Sequence, residues 1–242
     1  MPFESWSLFA MVAGWVAIAG IIKGFAGFGL AMVAGPLLAV VVGPVHAVVI
    51  VLLLEILTGL QLLRRALVLT DWQVVVPLTV ASAVTMPLGA LALVNLDPLV
   101  MRRAIAAMAL LFAIVLFSGW RYRGGHRLWL SGAIGSASGA ITGATGMGNP
   151  ILVLYVLASG IAERNRASLL TMVTMMIALA IVTLGFTGVL NWTALGQGLF
   201  LLPFAVVGAI TGARLFGHAS EAAYRRGALA IIVVAALVAL VY

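Results

Sequence analysis

The chain has 242 residues, of which 64% are hydrophobic and 8% charged, with a mean hydropathy of +1.26. Soluble domains carry about a quarter charged residues, so this composition excludes one and calls for an all-α polytopic membrane protein. The absence of cysteine rules out disulfides, thiolate metal sites and thiol chemistry. The net charge of +7 is spread over basic residues between apolar runs, not gathered on a face that would bind nucleic acid.

In chain order, Met1-Pro2-Phe3-Glu4 offers no basic n-region, so residues 6–22 read as a retained span rather than a cleaved signal. Lys23 follows, and then the run Gly24-Phe25-Ala26-Gly27-Phe28-Gly29, which unwinds a helix inside apolar sequence. Residues 45–63, 74–94 and 99–119 are each long enough to cross a core that needs about 20 apolar residues. A polar stretch, Arg121 to Arg127, separates the two halves of the chain. The second half carries Gly143-Ala144-Thr145-Gly146-Met147-Gly148, again inside an apolar run, and continues with spans at 167–190, 194–213 and 223–241.

The two glycine motifs lie 119 residues apart, and other pairs keep nearly the same offset. His46-Ala47 matches Arg166-Ala167, Asp71-Trp72 matches Asn191-Trp192, and Arg102-Arg103 matches Arg225-Arg226. Four matches in one order indicate an internal repeat. We therefore read residues 1–242 as a single membrane transporter domain of two homologous halves, 1–122 and 123–242.

Charge decides between two topologies. From Ile151 to Ser159 is roughly 14 Å of helix, too short to span, so each glycine motif breaks an element into arms. If the broken element turns back, each half is a hairpin plus three transmembrane helices and the halves are inverted. One face then receives ten arginines (64, 65, 121, 123, 127, 164, 166, 214, 225 and 226) against Arg102 and Arg103 opposite. If it passes through, the split is five against seven, which is no bias. The positive-inside rule favours inverted repeats with both termini outside.

Unwound backbone at membrane depth is tolerated where it is buried in protein or lines a cavity, and paired broken helices mark transporter sites. The returning arms start near Leu30 and Pro150. Their N-terminal N–H groups and dipoles suit an anion, and Asn149 followed by Pro150 is a good N-cap and first helical position. The expected substrate-binding residues are Lys23, Gly24, Phe25, Gly27, Phe28 and Gly29 with Gly143, Thr145, Gly146, Met147, Gly148, Asn149 and Pro150. The competing role for the glycines is close helix packing. Lys23 either serves the site or snorkels to an interface. Glu55, in mid-span, is the candidate for a coupling proton; its alternative is a protonated carboxyl bonded to a neighbouring helix.

The run Lys23 to Gly29 with Gly35-Pro36, the run Gly143 to Pro150, Arg166-Ala167 and the arginine pairs opening the last span of each half together resemble the TauE/SafE sulfite-exporter family. The likeness covers nearly the whole chain. It implies a secondary transporter of sulfite, organosulfonates or related small anions, embedded in a bacterial inner membrane. We expect no cofactor, no metal site and no enzymatic chemistry, since the histidines 46, 126 and 218 show no ligand spacing. Expected partners are a small anion, the lipid bilayer and a coupling ion such as H+, with a homodimer admitted. An anion channel, a carrier of small carboxylates and a structural or lipid-organising protein are the alternatives.

Overall fold

The computed structural model describes residues 5–26, 28–118, 124–125, 127–147, 150–156, 162–215 and 230–239. All regular structure among them is helical. The order is α1 (Trp6–Ala26), α2 (Leu30–Val42), α3 (Pro44–Leu69), α4 (Trp72–Asn95), α5 (Pro98–Phe117), α6 (Leu128–Thr145), α7 (Pro150–Val156), α8 (Ala162–Phe186) and α9 (Trp192–Leu215), followed by α10 (Ala230–Ala239). Among the described residues five helices, in α1, α4, α5, α8 and α9, are long and apolar enough to cross a bilayer. The protein is an all-α polytopic membrane protein. The span expected at 45–63 lies within α3. Of the last expected span, only 230–239 is described.

Local chemistry fixes the helix starts. Asp71 caps α4 by accepting from the Gln73 N–H at 3.2 Å, and Asn191 caps α9 by accepting from the Ala194 N–H at 2.7 Å. They belong to the pairs Asp71-Trp72 and Asn191-Trp192 matched in the sequence, and each caps the helix that follows it. Asp97 accepts from the Leu99 N–H at 2.8 Å ahead of α5, and Pro44, Pro98 and Pro150 each occupy a first helical position.

Both glycine motifs reverse the chain. The Trp15 indole N–H donates to the Val33 carbonyl at 2.8 Å, although eighteen residues of straight helix would separate them by about 27 Å. In the second half Ser131 and Tyr155, twenty-four residues apart, share a hydroxyl hydrogen bond of 2.7 Å. So α2 folds back along α1, and α7 folds back along α6. A further reversal at Gly43 (φ 82°) sets α2 against α3.

Helices α3 and α8 meet at the centre, and the tightest flanking pairs are α1 with α9 and α4 with α6. Glycine makes these pairs possible. A Cβ at Gly24 would lie 2.0 Å from the Ala209 carbonyl oxygen, and one at Gly20 2.5 Å from that of Ala205. On the other flank a Cβ at Gly139 would meet the Ser82 carbonyl at 2.1 Å and one at Gly143 the Met86 carbonyl at 2.2 Å. Small residues let backbones approach where lipid supplies no hydrophobic drive to associate. The registers also give direction. Residues 20 and 24 face 205 and 209, and 139 and 143 face 82 and 86, so α1 runs parallel to α9 and α4 parallel to α6. Thr70 bonds Thr171 at 2.6 Å while Gly59 faces Thr174, so α8 runs opposite to α3.

Candidate functional site

The first hairpin carries charge into the interior. Lys23 lies in the last turn of α1 and Glu55 lies midway along α3; they are 2% and 4% exposed and form an ion pair. A lysine that snorkelled would reach the surface, so the interface role for Lys23 is overturned by its burial. An ammonium has three donors, and all three are used. They go to the Glu55 carboxylate, to the Glu55 backbone carbonyl at 2.8 Å and to the Thr58 hydroxyl at 2.7 Å. Glu55 accepts with its other carboxylate oxygen from the Ala31 N–H at 3.1 Å.

That last bond explains the start of α2. Gly29 occupies the N-cap position in the left-handed region (φ 107°), which glycine adopts without steric cost, and has no side chain to cap the helix. The orphan N–H of Ala31 takes its acceptor from another helix instead. The acceptor at the start of this returning arm is thus the Glu55 carboxylate.

A small cavity, about 10 Å³ and room for about one water, adjoins the pair. Phe28, Gly29, Ala31 and Met32 line it from the first hairpin, Leu152 and Val153 from α7, Val173 from α8, and Glu55 from α3. It lies where the two hairpins meet. The Arg166 guanidinium, from α8, donates to the Gly24 carbonyl at 3.2 Å and so ties the second half to the end of α1.

The remaining expected site residues divide by role. Gly24 and Gly143 are packing glycines whose missing Cβ atoms admit α9 and α4. Gly29 and Gly146 (φ 68°) supply the left-handed backbone of the turns. Phe25 is buried, and Met147 is fully buried with its methyl group against Gly35 of α2. Thr145 spends its hydroxyl on its own turn, donating to Ile141 at 2.8 Å and accepting from the Met147 N–H at 3.2 Å. Pro150 opens α7. Gly27, Gly148 and Asn149 lie outside the described residues.

The two halves are chemically unequal at this point. At the offsets of 119 and 120 residues that relate the glycine motifs and the matched pairs, Thr142 and Met175 stand where Lys23 and Glu55 do. Thr142 donates to the Met147 carbonyl at 3.2 Å, and no charge enters the second hairpin there. Sequence reading treated Lys23 and Glu55 separately; of the cavity walls it named Phe28, Gly29 and Glu55 and passed over Ala31, Met32, Leu152, Val153 and Val173, as it did Thr58. Thr58 was detectable, since it stands one helical turn after Glu55. The Ala31 N–H, a backbone group, leaves no residue-type signal.

The family model for the sulfite exporter TauE/SafE matches residues 12–239. The chain belongs to this family of membrane transporters. Comparison with curated proteins and with solved structures gave no match.

Proposed function

We propose that this protein is a proton-coupled secondary carrier of small sulfur oxyanions, sulfite or organosulfonates, with its site between the two glycine hairpins. The observation that carries the reading is the buried Lys23–Glu55 pair, seated where a helix restarts and facing a cavity walled by both hairpins. Oxyanion oxygens suit the donors gathered there, an ammonium and a helix N-terminal N–H. Glu55 is the coupling site, because an ionisable carboxyl at such depth is costly and its counterpart Met175 builds the equivalent helix without one.

The halves are inverted repeats in this reading. The pairs α1·α9 and α4·α6 exchange when the halves exchange, α8 runs opposite to α3, and a returning hairpin with three further helices leaves each half with an odd number of crossings. Inverted repeats built around discontinuous helices are the architecture of alternating-access carriers. The basic loops then face the cytoplasm, with the protein in the cytoplasmic membrane and both termini outside.

Reconstituted protein tests this directly. In proteoliposomes, uptake of labelled sulfite should saturate, respond to a pH difference and be inhibited by short sulfonates. Non-saturating flux that only dissipates a gradient would make the protein a channel, and inhibition by small carboxylates alone would move the substrate to that class.

A further inference from the structure

We propose that the Glu55 carboxylate is a resident stand-in for the substrate, so that a proton and an anion bind together and cross the membrane in the same direction. This rests on the site proposed above and specifies how its coupling works. The two oxygens of one carboxylate hold the two donors an incoming oxyanion needs, the Lys23 ammonium and the Ala31 N–H. The adjoining cavity has space for about one water, so an oxyanion of four or more heavy atoms enters only by displacing the carboxylate or parting the arms.

Charge balance sets the order of states. The resting pair is neutral. An anion added beside ionised Glu55 leaves one unpaired negative charge in a dry interior, and a proton added to Glu55 alone leaves Lys23 as an unpaired positive one. Both are unfavourable. With proton and anion together, Glu55 becomes a neutral carboxylic acid, Lys23 faces the anion, and the site is neutral again. Each ligand therefore raises the affinity for the other by the same factor. Carriers whose two ligands favour each other move them together; exchange in opposite directions requires that they compete.

The surroundings of Glu55 support a local balance between these groups. Lys23 on α1 faces it directly, and α2 presents only backbone N–H. On α8, Arg166 turns to the Gly24 carbonyl and Arg164 to Asp71. Arg102 and Arg103 stand near the start of α5 and Arg214 in the last turn of α9, at helix ends, whereas Glu55 lies midway along α3. For a monoanion the loaded site carries no net charge. A pH difference, acid outside, then drives the anion inward, while export follows only the anion's own gradient.

The test uses methanesulfonate, which stays a monoanion between about pH 5 and 8, and calorimetry on the purified protein in two buffers of different ionisation enthalpy. The expected result for the unaltered protein is uptake of about one proton per anion bound. Affinity should rise about tenfold for each pH unit lowered while Glu55 is ionised in the free protein. Glu55→Gln should bind with no proton uptake and no pH slope. Binding without proton uptake, or with proton release, overturns the inference and leaves the carrier reading standing. So does a Glu55→Gln protein that keeps the original pH slope. If Glu55→Gln does not fold, the proton count on the unaltered protein decides alone. Failure of both methanesulfonate and sulfite to bind at any pH overturns the substrate reading, and this inference with it.

Discussion

Ala31 and Glu55 stand twelve residues either side of Gly43, and the backbone N–H of one donates to the carboxylate of the other at 3.1 Å. The spacing is that of an antiparallel pair folded about its turn. It places the middle of a long helix at the start of a broken one, where an uncapped helix end needs an acceptor. Fold and site chemistry thus share one hydrogen bond, and removing the carboxylate disturbs both.

The ion pair should show strong coupling in a double-mutant cycle. Lys23→Met leaves a buried carboxylate and Glu55→Leu leaves a buried ammonium, each costing about 3–5 kcal/mol because a charge remains without its partner. The double variant should recover much of that loss. Unfolding titrations in mixed micelles would measure it; additive losses in the double variant would mean that the two groups do not interact in the folded protein.

Glycines of the same motif should separate into two kinds. Gly24→Ala and Gly143→Ala push a methyl group against backbone oxygens at 2.0 and 2.2 Å and should disrupt the α1·α9 and α4·α6 pairs, seen as loss of folded protein. Gly146→Ala has more room, with its nearest neighbour, a Val48 side-chain carbon, at 3.3 Å, and pays for the left-handed backbone with about 1–2 kcal/mol. That variant should fold, allowing its sulfonate affinity to be measured. Equal tolerance of all three would return the tight registers to question.

Topology can be read with single cysteines, since the native chain has none. Ser5 and Gly124 are exposed positions ahead of α1 and between α5 and α6. An impermeant thiol reagent added to intact cells should label Ser5→Cys and spare Gly124→Cys. Labelling of both from one side would contradict an odd number of crossings between them and with it the inverted repeats.

Coupling should depend on titration at residue 55 and not on its shape. Glu55→Gln in proteoliposomes should lose accumulation driven by a pH difference while labelled substrate still exchanges across the membrane. Continued accumulation by that variant would reduce Glu55 to a structural partner of Lys23.

Much of this protein was legible without coordinates. Composition alone required membrane helices, because 8% charge cannot cover a soluble surface. The restarts at Leu30 and Pro150 followed from glycine and proline, whose backbone limits act locally. The Asp71 and Asn191 caps were visible as a repeated pair for the same reason. What the sequence left open was which groups meet. Lys23 and Glu55 are thirty-two residues apart, and neither periodicity nor spacing says that two reversals, at the first glycine motif and at Gly43, bring them into contact. Nor could identity separate Gly24 from Gly29, since one serves a neighbouring helix and the other its own turn. Turns and caps depend on residues adjacent in the chain, so sequence determines them. The ion pair, the capped arm and the cavity depend on distances across helices, and only packing in three dimensions sets those.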